Sequence, residues 1–483
     1  MKNKIYYLLL AFAVVTTGCD QCDDPENPKP TKTLKADFSV NQAVNCYPPC
    51  EVCFNNLSEN ADGYSWDFGN GQSSISDAPC ITFTASGTYT VTLTAKAGTE
   101  TKTLTKQVII PQNNNITRFK EVLNMPNQFA KSVVVSRDGY VYVAMTNDPD
   151  YFRIKRYGPY SSAGGLYDIS QKDFPKDGFG IADMVLDNNN NILLAGAKTS
   201  GNNYWGALRK YSGLNLAFEG VYPYQNVANS SFSSVIPDAD GGYLLVGHKP
   251  LWNTGDKVGS LIVKTNGAGV KLNEDVIGIT TYNQDNIKRV FKNPDNYDAY
   301  IGVGVWTDPA QDKTDVFISR INASGVGSTL SGSDFVGLNN NQNEIVNDAV
   351  QFTGNRYAMV GKYNGNVSLM AFTYQTSTIQ QFDFVKNFPS LYSLSSICVL
   401  DGNQGFGVCG VTTDNKIYAA KLTISGDIVW EKTYGTCSVL TPNPDIAYTY
   451  WDGGFVIVGA EWCTDFTCSN PVIMKTDAQG NIN

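Results

Sequence analysis

From about residue 116 the chain alternates short apolar runs with tight polar turns, and one phrase returns seven times. Its versions are "SVVVSRDGYVYVAMTND", "DMVLDNNNNILLAGAKTS", "SSVIPDADGGYLLVGHKP", "RVFKNPDNYDAYIGVGVW", "DAVQFTGNRYAMVGKYN", "SICVLDGNQGFGVCGVTT" and "AYTYWDGGFVIVGAEW". Each reads as strand, polar turn, strand. The second strand closes on Gly196, Gly247, Gly304, Gly361, Gly410 and Gly459, with Ala144 standing in the first unit. A third strand follows and ends on a basic residue in six units: Arg156, Lys210, Lys264, Arg320, Lys421 and Lys475. A turn such as "TNGAG" or "NASG" then leads to a fourth strand such as "IVWEKTY". The period of about 48 to 57 residues suits propeller blades rather than helical solenoids, and no stretch keeps helical spacing. A lone four-stranded unit leaves a face uncovered, whereas radial stacking covers both. Residues 112–483 are therefore predicted to form a seven-bladed β-propeller, and the chain as a whole to be all-β.

The ends of that segment complement each other. The last unit stops at "DAQGNIN", where other units continue into a fourth strand, and the chain ahead of unit one, "NNITRFKEVL", matches the fourth strand of unit six, "GDIVWEKTY". Residues 116–123 are expected to supply the missing outer strand of the last blade, which removes two exposed edges. The repeats resemble bacterial propellers with a "DGG-apolar-G" signature, a family defined by fold more than by function. Ahead of them, residues 35–111 alternate in strand fashion, and "YSWDFGNG" with "GTYTVTLTA" resembles the PKD domain, an immunoglobulin-like sandwich. The resemblance implies that Trp66 fills the core and that Gly69 and Gly71 permit the turn after it. Asn70 stands where that family usually has Asp. It also implies a spacer or binding module without catalytic groups.

The first residues change the picture from a soluble repeat protein to an exported one. "MKNKIYYLLLAFAVVTTGC" has a basic start, an apolar stretch too short to span a bilayer, and small residues before Cys19. "TTGC" resembles the lipobox of bacterial lipoproteins, which implies a signal peptide over 1–18 and acylation of Cys19. Residues 19–34 are polar and Pro-rich, an extended tether. The acidic residues behind Cys19 resemble the surface-export signal of some Gram-negative lipoproteins. The expected location is thus the bacterial outer membrane, lipid-anchored and facing the cell surface. A net charge of −9 argues against nucleic-acid binding.

Candidate chemistry is sparse. The single histidine, His248, has no nucleophile motif to serve, and no catalytic residue, metal site or cofactor is assigned. Asp138-Gly139, Asp240-Gly241 and Asp452-Gly453 read as hairpin turns rather than calcium loops. The ten cysteines beyond Cys19 read as disulfides of an exported protein, with Cys463–Cys468 and Cys398–Cys409 as expected pairs; a four-cysteine zinc site over "CYPPCEVC" and Cys80 is the weaker alternative. The more informative set is aromatic. Tyr151, Tyr204, Trp205, Trp252, Trp306, Tyr363 and Trp462 fall in the loops between second and third strands, which share one face of a propeller. They serve either as blade-to-blade packing or as a platform for sugars or peptide side chains. The expected function is an envelope binding protein that recognises a glycan or a partner protein. A carbohydrate-active hydrolase or lyase is the rival, and a structural subunit of a surface assembly is the third reading. Convergent buried carboxylates at the centre of that face would favour the enzyme.

Overall fold

The computed structural model describes residues 33–42, 50–110, 119–146, 151–158, 168–175, 177–201, 203–224, 229–250, 258–277, 284–293, 299–308, 313–322, 343–374, 382–435, 444–462 and 468–482. Cys19, Trp252 and Cys463 lie outside them. The described residues are built from β-strands, with a single 3₁₀ turn at Asp401–Asn403.

The N-terminal unit is a sandwich. Phe38–Gln42, Cys50–Asn56 and Cys80–Phe83 form one sheet; Ser73–Ser74, Gly63–Asp67, Gly87–Ala97 and Glu100–Ile110 form the other. Their alternating apolar positions meet in a core of Phe38, Phe54, Trp66, Phe68 and Phe83. Trp66 lies edge-on to Phe38 with ring centres 5.2 Å apart, and its indole N–H donates to the Ser76 carbonyl at 2.8 Å. Gly69 has φ +71° and lies against the Thr90 backbone, where a Cβ would come within 2.7 Å of the carbonyl oxygen. Cys53 and Cys80 face each other across two strands and form a disulfide, which removes two ligands from any zinc site. Thr84 donates to Asp401 at 2.6 Å, a hydrogen bond from the sandwich to the propeller.

The remaining strands make seven antiparallel blades. Blades 1 to 3 are complete four-stranded meanders opening on the inner strands Phe129–Val135, Phe179–Leu186 and Ser231–Pro237. Blade 4 has three described strands, Gln284–Lys292, Ala299–Asp308 and Lys313–Asn322. Blades 5 and 6 open on Ile345–Thr353 and Leu391–Val399. Blade 7 is composite: Asp445–Tyr448, Phe455–Trp462 and Ser469–Lys475 are completed by Phe119–Val122, which pairs Val122 with Val472 and Phe119 with Lys475. Each blade buries its apolar faces against the next. Ala144 and Phe152 of blade 1 pack on Phe179 and Leu194 of blade 2, and the series continues around to Val458 and Ile473 of blade 7 on Val133 and Val143 of blade 1. That last cluster closes the ring.

The repeated glycine has a steric cause. In blades 1 to 6 the inner strand carries an extra residue, a β-bulge, at Lys131, Ala182, Ser233, Lys288, Asn347 and Ser395. The bulge presses the inner strand onto the second strand where Gly196, Gly247, Gly304, Gly361 and Gly410 sit, and a Cβ at any of them would approach an inner-strand carbonyl more closely than 3.0 Å. The register corrects one expectation: the position equivalent to these glycines in blade 1 is Met145, opposite Ala130, and not Ala144.

The turns of the repeat are held by the third strand. Gly139, Gly241 and Gly453 have φ of +92°, +79° and +69°, as hairpin turns require. The Lys475 ammonium pairs with Asp452 at 2.6 Å, and Lys264 pairs with Asp238 and with Asp240. The third-strand basic residue in these blades thus ties down the turn between the first two strands.

Candidate functional site

The bulges set up the axis of the propeller. In each blade the residue after the bulge is polar: Ser132, Asp183, Ser234, Arg289, Asp348 and Ser396, with Asp445 at the same place in blade 7. The aspartates act as clasps. Asp183 accepts from the Val235 amide of blade 3 at 3.1 Å, Asp348 from the Ile397 amide of blade 6 at 3.0 Å, and Asp445 from the Val133 amide of blade 1 at 2.9 Å. The bulged residues return bonds of opposite sense. Asn347 donates to the Leu394 carbonyl at 2.5 Å and Ser395 to the Pro444 carbonyl at 2.6 Å.

Arg289 spans the axis. Its guanidinium meets Asp183 at 2.6 Å and Asp348 at 2.5 Å, joining blades 2, 4 and 5. Burial pushes its pKa down, but the two carboxylates outweigh that and raise it. Asp445 has hydroxyls in place of a cation: Ser132 donates at 3.0 Å and Ser396 at 2.5 Å. Burial raises its carboxyl pKa against the opposing pull of those bonds.

Beside this network is a polar cavity of about 170 Å³, lined by Lys131, Ser132, Asp183, Asn347, Ser395 and Asp445 among others. Exposed Asn347 and Ala182 on its wall connect it with solvent. Burial lowers the pKa of Lys131, against the pull of Asp445.

Buried carboxylates therefore do converge at the centre, the arrangement expected to favour an enzyme. Their oxygens are already engaged. Asp183 spends one on Arg289 and one on the Val235 amide; Asp348 spends its two on Arg289 and the Ile397 amide. Each oxygen of Asp445 accepts two bonds, one pair from Ser132 and Val133, the other from Ser396 and Ile446. A glycosidase needs one carboxyl free to give a proton and another free to attack or activate water.

The six described residues of the predicted aromatic set sit at the hairpins between second and third strands, and none of them is exposed. Trp306 is 6% exposed and belongs to the core between blades 3 and 4, with Leu244 and Phe317; packing is its role. Tyr363 packs edge-on to Phe382, centres 5.3 Å apart. Tyr151, Tyr204, Trp205 and Trp462 are half-buried. His248 lies on the second strand of blade 3, its pKa lowered by burial and by Lys288.

The expected Cys398–Cys409 disulfide is absent; both are free thiols. Cys398 pairs with Gly407 and Cys409 with Ser396, so the two cysteines are diagonal neighbours. Diagonal Cα atoms stand about 7–8 Å apart, beyond the reach of a disulfide. Cys468 is disulfide-bonded, to a residue outside those described. The axial residues were missed as a set. The signal was present: each inner apolar run opens with a polar residue, as in "KSVVV", "ADMVL", "NDAV" and "DIAY".

Comparison with known proteins identifies the N-terminal unit. Residues 40–110 match the PKD domain. No curated protein sequence matches the chain. Among solved structures, the Dos1 propeller is 7% identical, covering 75% of this chain and 87% of its own at a TM-score of 0.42. A quinonprotein alcohol dehydrogenase-like protein from Bacteroides thetaiotaomicron is 11% identical, covering 85% and 96% at 0.39. The periplasmic gluconolactonase of Pseudomonas aeruginosa is 10% identical, covering 74% and 97% at 0.42. These are likenesses of fold, and no activity is carried over from them.

Proposed function

We propose that this chain is a lipid-anchored envelope protein in which the PKD sandwich holds out a propeller that binds a glycan or a partner protein. Export and anchoring rest on the "TTGC" segment and Cys19. The observation that carries the binding reading is the axial cavity: a solvent-connected polar socket whose walls are fixed by bonds from blade to blade. Preorganised polar groups of this kind favour recognition, because little ordering is left to be done on binding. The engaged carboxylates weigh against turnover.

The test is to apply the purified chain, from Lys35 onward, to arrays of envelope glycans and envelope proteins, and in parallel to assay glycan cleavage. Saturable binding without cleavage is expected. Absence of any array ligand overturns the reading; cleavage abolished by Asp445→Asn gives the enzyme class instead. Separately, Cys19→Ala is expected to move the protein from membrane to soluble fractions, and unchanged membrane retention refutes the anchor.

A further inference from the structure

Resting on the binding reading above, we propose that the axial cavity seats one neutral, hydroxyl-bearing group, the terminal residue of an uncharged glycan, with Lys131 as its principal hydrogen-bond donor. Three observations converge on that chemistry.

The first is size. About 170 Å³ corresponds to roughly six water volumes. That is below the range of pockets that enclose a drug-sized ligand, so the cavity takes one end of a larger molecule. The second is charge. Asp183 and Asp348 share the single guanidinium of Arg289, and Asp445 has hydroxyl and amide partners but no cation. Three carboxylates thus face one guanidinium and the Lys131 ammonium. An anionic ligand would meet repulsion, and a strongly cationic one would meet Arg289 and Lys131. A neutral ligand avoids both costs.

The third is hydrogen-bonding capacity. Lys131 is the bulged residue of blade 1, held at the cavity wall by the register of its strand. Among the described residues its ammonium makes no ion pair or hydrogen bond, although Asp445 and Asp183 act on it at longer range. It therefore has donors to give. Ser132 and Ser395 have given their protons to Asp445 and to the Pro444 carbonyl, so their oxygens are left as acceptors. A donor set beside acceptors matches a sugar hydroxyl, which does both.

The experiment uses the chain from Lys35 onward, methyl glycosides of neutral hexoses and pentoses as probes, and the corresponding uronic acids as charged controls. Binding is read by ligand-observed NMR and calorimetry, for the native protein and for Lys131→Met and Lys131→Arg, with melting curves for each. A neutral glycoside is expected to bind, its uronic acid at least tenfold more weakly. Lys131→Met is expected to weaken the neutral ligand tenfold or more at an unchanged melting temperature, with partial recovery in Lys131→Arg. Tighter binding of the uronic acid overturns the neutral assignment. Binding that ignores Lys131→Met overturns the site while leaving the glycan reading standing. If no glycoside binds although an array glycan does, the cavity is likewise not the seat. If neither arrays nor glycosides bind, the binding reading itself has failed.

Discussion

Replacing a repeat glycine by alanine should be costly in one blade and harmless in another. At Gly247 of blade 3 a Cβ would lie 2.7 Å from the Phe232 Cα and closer still to the Ser231 carbonyl oxygen. Both are backbone atoms of the bulged inner strand and cannot rotate away. At Gly459 of blade 7 the nearest atom is the Pro444 Cβ at 3.5 Å, an ordinary contact. Overpacking of a close-packed interior costs about 1–3 kcal/mol. Alanine returns about 0.4–1 kcal/mol at either site by restricting the unfolded chain. Gly247→Ala should therefore lose about 1–2 kcal/mol net, and Gly459→Ala should be neutral or slightly stabilising. At about 2–4 °C per kcal/mol for a large domain, the first melts roughly 2–8 °C below the native protein. Scanning calorimetry or circular dichroism of the chain from Lys35 onward reads the difference. Equal melting temperatures for the two variants, or a larger loss at Gly459, would refute the steric account of the repeat.

Two further outcomes follow from buried groups. Burial alone would raise the Asp238 pKa, but bonds from Lys264, Tyr300 and Lys292 outweigh it and hold the carboxyl well below its usual range. Its contribution to stability is therefore complete above the unfolded value near 4 and lost as pH falls toward the folded one; Asp238→Asn should melt well below the native protein at pH 7, and the gap should narrow progressively below pH 4, whereas a gap independent of pH contradicts the linkage. Cys398 and Cys409 are free, with pKa values raised by burial, so they should resist alkylation in the native protein and be alkylated in denaturant without reductant, while Cys53 and Cys80 are not; mass spectrometry of the alkylated peptides checks this, and recovery of a 398–409 disulfide contradicts it.

The strand pattern was legible because it is dictated by burial: apolar alternation and turn glycines specify blades whatever the ligand. Phe119–Val122 was legible as the closing strand for the same reason, since a fourth strand has a recurring half-buried pattern. Bulges left no such trace. One extra residue shifts the register of everything beyond it, which is why Ala144 was read for Met145. The diagonal offset of Cys398 and Cys409 comes from pairing across a hairpin, and proximity in sequence does not report it. Trp306 illustrates a further limit. Its place at a hairpin end was evident, but whether an indole there turns outward or into the neighbouring blade depends on Leu244 and Phe317, which pack with it in the core of blades 3 and 4.

The composite seventh blade has a consequence for how the protein is made. Phe119–Val122 leaves the ribosome long before its partner Ser469–Lys475 exists, and Val133 and Val143 wait as long for Val458 and Ile473. Six blade interfaces form between neighbours in sequence, but the seventh demands the closure of a loop spanning the whole ring, whose entropy must be met before the contact rewards it. Until then the nascent propeller is an open arc with an unpaired strand at one end and bare apolar side chains at both. If the chain crosses a membrane in extended form, as proposed above, that delay is an advantage: the ring cannot lock before the last blade has been delivered to the far side.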